Sequence, residues 1–292
     1  MNSRLRGQIA LVAGATRGLG RAIARELARA GAFVVCTGRS TSSQPSDLQR
    51  PETIEETLTL IQQEGGHGLA LRCDHTSLTE VQRLASTIQS RFGQLDILVN
   101  DVWGGDHLTQ WVPFDQHNLE YGLELFRRGL FSHLITAHTC APLLRKSSGS
   151  IIVEITDGIA ERYRGSLYYD VVKHAVIRSA QGMAFELNDE GIAVVAVSPG
   201  FLRSEAMLDH FGVTENTWRE AIDADPHFSE SETPHFCARC IVALCSDANR
   251  MQYSGRALAS WNLATHYGIV DVDGRQPHFG QYALRHLGID LG

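Results

Sequence analysis

Short apolar runs alternate with amphipathic stretches along most of the 292-residue chain. Ile9–Ala13 is apolar throughout, as a parallel strand covered on both faces should be. Gly18–Ala30 then has helical spacing and stops at Gly31, a residue suited to the position after a helix C-cap. Phe33–Thr37 is a second strand, and the polar stretch from Ser40 to Arg50 is a loop. Pro51 suits the first turn of a helix running to about Glu64, and Leu69–Cys73 is a third strand. Ser77-Leu78-Thr79-Glu80 matches a capping box before a helix to about Phe92. Leu95–Asn100 is a fourth strand, and one long helix is predicted over about 118–145. Ser150–Ile155 and Ala193–Ser198 are strands on either side of a helix at about 167–188. A helix at roughly 235–247 and a strand near Ala257–Ser260 follow. Repeated βα units predict an α/β fold of the Rossmann type, a doubly wound parallel sheet in a single domain over 1–292. Within it, 201–234 reads as a separate segment with aromatic residues among acids and histidines, and 262–292 as a C-terminal tail.

Hydrophobic content of 43% is ample for such a core. A formal charge of −7 without long Lys/Arg runs argues against nucleic acid as a partner. No apolar stretch reaches the length of a membrane span, and Met1 to Gly7 lacks the apolar region of a signal peptide. The chain therefore reads as cytoplasmic, with six reduced cysteines. Cys237 and Cys240 have the spacing of metal ligands with His235 nearby, but no second pair faces them. They read as core positions of a helix, and no metal is expected.

Gly14-Ala15-Thr16-Arg17-Gly18-Leu19-Gly20 falls between the first strand and the first helix. In that place, absent Cβ atoms let backbone amides approach a pyrophosphate, and the helix N-terminus favours its charge. The second strand ends in Cys36-Thr37-Gly38-Arg39-Ser40, with no acid to bind a ribose 2′-hydroxyl. Arg39, with Arg17, suits a 2′-phosphate instead, which selects NADP(H) over NAD. The alternative is that both arginines are solvated surface residues.

Tyr169 and Lys173 are four apart, so a helix puts phenol and ammonium on one face. A neighbouring cation lowers a phenol pKa, and the hydroxyl of Thr156 can hold a carbonyl oxygen beside it. Alone, this spacing arises by chance. In order along the chain, however, stand the Gly14–Gly20 loop, Asp74, Leu98-Val99-Asn100 with Gly104, Thr156, Tyr169 with Lys173, and Pro199-Gly200 with Ser204. Over about residues 5–260 the chain resembles the short-chain dehydrogenase/reductase family, and within it a set of bacterial and animal reductases.

The resemblance implies a cofactor site of Gly14, Thr16, Arg17, Gly18, Leu19, Gly20, Arg39, Ser40, Asp74, Asn100, Tyr169, Lys173, Pro199, Gly200, Leu202 and Ser204. Asp74 would meet the adenine, unless it is a turn carboxylate, and Asn100 would steady the central strand. Lys173 would bind the nicotinamide ribose and depress the Tyr169 pKa, and Tyr169 would be the general acid or base. Pro199 through Ser204 would clasp the carboxamide. Three departures stand out. Thr156 replaces the usual Ser, and is alternatively a core residue with Asp157 facing the pocket. Trp103 interrupts the usual Asn-Asn-Ala-Gly stretch, as a wall of the substrate pocket or as core. The fourth helix, Leu125 to Phe131, lacks the usual Asn, with Arg127 as a candidate for its place. The expectation is hydride transfer between NADP(H) and a carbonyl or alcohol. The competing reading is a catalytically silent cofactor-binding protein. Trp103, Phe201 and Met207 are the substrate candidates, with Trp111, Phe114, Phe211, Trp218 and Phe228 as pocket wall or lid core. A homodimer or homotetramer is implied, with the tail reaching a neighbouring subunit.

Overall fold

The computed structural model describes residues 4–45 and 48–291; Met1–Ser3 at the N-terminus and part of the polar loop lie outside the described residues. Among the described residues, seven strands form one parallel sheet: β1 (Ile9–Ala13), β2 (Phe33–Gly38), β3 (His67–Arg72), β4 (Ile97–Asn100), β5 (Ile151–Ile155), β6 (Ala193–Ser198) and β7 (Ala257–Ala259). Their order is β3-β2-β1-β4-β5-β6-β7. The chain winds outward from β1, then returns to lay β4 against the other side of β1, with Ala13 beside Asn100. That reversal opens a crevice at the carboxyl ends of β1 and β4, where ligands bind in doubly wound sheets.

The helices are α1 (Gly18–Arg29), α2 (Ile54–Gln63), α3 (Leu78–Phe92), α4 (Leu119–Phe126), α5 (Ser132–Leu144), α6 (Leu167–Glu186), α7 (Glu205–Phe211), α8 (Pro234–Ser246), α9 (Ser260–Tyr267) and α10 (Phe279–Leu287). One apolar cluster joins the sheet to α1, α8 and α9; a second joins its other face to α3, α5 and α6. The central strands β1, β4, β5 and β6 are buried along nearly their whole length because both faces are covered in this way, whereas the edge strand β3 is only partly covered.

Two local expectations change. Ser77 does cap α3, accepting from the Glu80 amide at 3.4 Å. The Glu80 carboxylate, however, accepts from the Asp74 amide at 2.8 Å, so the box is half-formed. The long helix predicted over 118–145 is α4 and α5 joined by a π-helical turn, Arg127–Phe131. The turn brings Gly129 against Trp103 and Val172: a Cβ there would lie 2.6 Å from the indole and 2.8 Å from the valine methyl. Cys237 and Cys240 are buried on α8, and burial pushes both thiols well above their ordinary values. Among the described residues, no group of three or more His, Cys, Asp or Glu gathers to hold a metal. No helix among them is long and apolar enough to cross a membrane.

Candidate active site

A cavity of about 950 Å³ occupies the crevice, from Arg39 and Asp74 at one end to Tyr169 and α10 at the other. The glycine loop forms its floor. The amides of Gly14 and Ala15 both donate to the Thr37 carbonyl, folding the loop back onto β2. Gly14 has φ +92°, and a Cβ there would lie 2.4 Å from the Asp101 carbonyl oxygen. At Gly20 a Cβ would lie 2.3 Å from the Gly14 carbonyl oxygen. Backbone packs on backbone here, so neither position has room for a side chain. Leu19 and Thr16 are largely buried, and both line the cavity.

The fit to a dinucleotide rests on the N-terminus of α1. The Gly18 amide donates to the Glu205 carboxylate at 2.8 Å, and Arg21 approaches that carboxylate at 3.9 Å. A carboxylate thus stands where the helix end stabilises negative charge, which is the place a pyrophosphate would take. Arg39 lines the cavity beside Gly104; Arg17 lines it while pairing with Glu52 at 3.5 Å. Ser40 is buried, and its carbonyl accepts from the Ile54 amide. Asp74 also lines the cavity, but its carboxylate accepts from the amide and hydroxyl of Thr76, the bonding of a turn residue. Burial opposes its ionisation, yet the Thr76 bonds and the Arg39 charge hold its carboxyl below the ordinary value.

Asn100 ties β4 to β5 by donating to Glu154 at 2.8 Å, and His133 engages the other oxygen of Glu154 at 2.6 Å. At the far end, the Gly200 amide donates to Ser260, whose hydroxyl donates to the buried Glu232. Leu202 bridges to Glu232, and Ser204 caps α7 by accepting from the Met207 amide at 3.3 Å. From Pro199 to Met207 every residue but the buried Arg203 lines the cavity.

The reacting end departs most from expectation. α6 carries Tyr169 and Lys173 on one face. The Tyr169 hydroxyl donates to Asp157 Oδ2 at 2.6 Å. Thr156 does not reach the phenol. Its side chain is buried, and its hydroxyl donates to the Lys173 carbonyl at 2.8 Å. Both residues line the cavity, but adjacent side chains where the chain leaves β5 point apart, so the Thr156 hydroxyl turns to the α6 backbone and the Asp157 carboxylate to the phenol. Thr156→Val should therefore cost about 1 kcal/mol of stability, read by chemical denaturation, and change kcat less than about twofold.

Nor is the phenol held below its ordinary value here. Desolvation and the Asp157 carboxylate push Tyr169 well above its ordinary pKa. The Lys173 ammonium sits 4.2 Å from the Trp103 ring centroid, and its desolvation lowers its own pKa against the pull of Asp157, Asp101 and Asp106. Burial also pushes Asp101, under the glycine loop, up to about 7. Trp103 meets Tyr169 edge-on at 5.4 Å and donates its indole N–H to Asp106 at 2.8 Å. Arg127 is not in the place of the missing Asn: it is exposed and approaches Glu124 at 3.8 Å. The position turned toward Trp103 is Gly129, and the indole fills the space a side chain would need.

Phe201 and Met207 line the cavity, whereas Phe211, Trp218 and Phe228 form a lid core beneath them. Trp111 packs on the Tyr169 ring at 5.9 Å, and Phe114 is exposed. The tail folds back onto its own chain: Phe279, Ala283 and Leu287 of α10, with Ile289 and Leu291, line the cavity. His227 holds this tail through the Tyr282 hydroxyl at 3.0 Å, while His235 turns away to Glu26. Sequence reasoning missed Glu205, Arg164 and the tail as cavity residues. Their only signal was position, after Ser204 for the first and before Tyr169 for the second.

The model for short chain dehydrogenases matches residues 8–211. Dehydrogenase/reductase SDR family member 1 of Mus musculus is 31% identical over 281 residues, covering 94% of this chain and 86% of the relative. The 7alpha-hydroxysteroid dehydrogenase of Escherichia coli K12 is 34% identical over 248 residues, covering 85% of this chain and 90% of that protein. A solved 7alpha-hydroxysteroid dehydrogenase, complexed with NADH and 7-oxo glycochenodeoxycholic acid, superposes with a TM-score of 0.72 at 29% identity, covering 94% and 97% of the two chains. Sheet order, cofactor crevice and matched sequence agree, and the chain belongs to the short-chain dehydrogenase/reductase family of oxidoreductases.

Proposed function

We propose that this oxidoreductase reduces a carbonyl to an alcohol with NADPH, using Tyr169 as the general acid. The observation that carries this reading is the Tyr169 phenol, set on one helix face with Lys173 in the wall of the cavity that the glycine loop also lines. A reduced nicotinamide, when bound, supplies the hydride. The α1 N-terminus would hold the pyrophosphate, Arg39 and Arg17 the 2′-phosphate, Lys173 the ribose hydroxyls, and Pro199 through Ser204 the carboxamide. Phe201, Met207, Trp103 and the apolar residues of the tail would bind the body of the substrate, which suits a compound of moderate to steroid size. Leu123, Phe131, Leu134, Val171 and Phe185 leave an apolar surface on and between α4, α5 and α6, which supports a homodimer or homotetramer.

The relative complexed with NADH makes cofactor choice a point to test. No acid ends β2 in this chain, so Arg39→Ala should weaken NADPH binding roughly tenfold to a hundredfold, the worth of a charge-assisted hydrogen bond, and leave NADH binding unchanged. Fluorescence titration with each cofactor reads this directly. Equal losses for both would return the choice to NAD. A catalytically silent cofactor-binding protein is favoured by one observation: the phenol proton is engaged by Asp157 rather than free for a substrate. Oxidation of NADPH over a panel of ketones, including steroid ketones, separates the two. Tight cofactor binding without turnover on any ketone would favour the silent protein.

A further inference from the structure

We propose that Asp157 selects substrates that carry a hydrogen-bond donor on the carbon next to the carbonyl, such as α-hydroxy ketones. This rests on the carbonyl-reductase reading and deepens it. Tyr169 has one proton, and Asp157 accepts it at 2.6 Å. An oxygen placed to accept from the phenol therefore lies next to a carboxylate, which offers no proton in return. A plain ketone must break the Tyr169–Asp157 bond and set its carbonyl oxygen against the carboxylate. An α-hydroxy ketone makes an exchange. Its hydroxyl donates to Asp157, and the phenol is released to donate to the carbonyl. One hydrogen bond is broken and two are formed, and the carboxylate stays satisfied.

The surroundings agree. Asp157 is only partly covered and lines the cavity, so a ligand can reach it. Arg164 approaches the same oxygen at 3.7 Å while bonding Asp170 at 3.0 Å, which holds positive charge near Asp157 without closing a short bond to it. Thr156 offers no replacement hydroxyl, since its own is given to the Lys173 carbonyl. Gly129 offers no side chain, and Trp103 fills that wall. Asp157 is thus the acceptor of the phenol proton that a substrate meets on the cavity wall, with Arg164 and Lys173 lining the cavity as cations.

The reaction balances without a proton from Asp157. The carbonyl carbon gains a C–H bond with the hydride pair from reduced nicotinamide. The Tyr169 O–H breaks, its proton joins the carbonyl oxygen, and the phenolate is reprotonated from solvent. The α-hydroxyl keeps its proton throughout.

The test compares acetophenone, α-hydroxyacetophenone and α-aminoacetophenone as substrates of the wild type, Asp157→Ser and Asp157→Asn, with reduced cofactor. The wild type should prefer the hydroxy ketone over acetophenone in kcat/KM by roughly tenfold to a hundredfold, the worth of a hydrogen bond to a charged group. Asp157→Ser should remove that preference by gaining on acetophenone, because a serine hydroxyl can donate to the carbonyl. Asp157→Asn, which accepts and donates, should fall between. A wild-type preference for the amino ketone would make the donor an ammonium, within the same proposal. An unchanged preference in Asp157→Ser overturns it. Turnover surviving in Tyr169→Phe would instead sink the carbonyl-reductase reading. If no ketone is turned over, saturation-transfer NMR on the wild type and Asp157→Ser decides: equal binding of acetophenone and its hydroxy analogue in both rejects the selection, and a preference lost in Asp157→Ser supports it.

Discussion

Tyr169→Phe should lower kcat by about 10²- to 10⁴-fold, the usual contribution of a positioned general acid. The change removes one oxygen. The ring remains packed against Trp103 and Trp111, so cofactor affinity and fold should survive. The expected signature is a fall in kcat and kcat/KM together, because the lost interaction is made in the transition state. The pH dependence carries a second sign. Desolvation and Asp157 hold the phenol well above its ordinary pKa, so it stays protonated across the neutral range. Reduction should therefore be insensitive to pH there as far as this group decides it, while the reverse oxidation, which needs the phenolate, should speed up as pH rises. Stability follows the same linkage. Above about pH 10 the unfolded phenol loses its proton while the folded one keeps it, so the folded state binds more protons and its stability falls with rising pH. Tyr169→Phe should flatten that alkaline loss, measured by denaturant midpoints across the range.

Arg203→Met should destabilise the protein by about 3–5 kcal/mol, the cost of breaking a buried ion pair from one side. The Arg203 side chain is fully covered. It donates to the Ser231 carbonyl at 2.9 Å, to Glu215 at 2.9 Å and to Asp273 at 3.2 Å, and its guanidinium lies 4.2 Å from the Trp218 ring centroid. Asp271, itself without exposed surface, lies 3.8 Å away and also accepts from the amide and hydroxyl of Thr233. Methionine fills similar space but removes the cation that Glu215, Asp271 and Asp273 share, leaving Asp273 to Arg275 at 2.9 Å. Domains hold only about 5–15 kcal/mol of stability, so the loss is a large fraction of the whole. Because Arg203 anchors its cavity-lining neighbours Leu202 and Ser204 to Ser231, Glu215 and Trp218, cofactor affinity should fall as well. Arg203→Lys should restore charge but little geometry, since one ammonium cannot serve a planar fork of partners. A midpoint for Arg203→Met within error of the wild type would show that Glu215, Asp271 and Asp273 need no cation.

Much of the fold was legible because it depends on local pattern. β1 and β6 have the bounds their apolar runs predict, and α6 begins where the spacing of Tyr169 and Lys173 requires. What failed were statements needing a distant partner. The helix over 118–145 reads as continuous, but its π-helical turn answers to Trp103, from another segment. The tail has no periodic signal pointing to the cavity, because its place is set by Phe201 and His227 across the chain.

The sequence by itself determined the parallel sheet, the crevice with its glycine loop, and the pairing of Tyr169 with Lys173, since apolar period, turn residues and helical spacing are all short-range. The tertiary structure decided which group meets the phenol. Thr156 and Asp157 are adjacent, and one step along an extended chain reverses the side a residue faces. That step gives the phenol a carboxylate for a partner instead of a hydroxyl, and its direction is fixed by how β5 docks on α6.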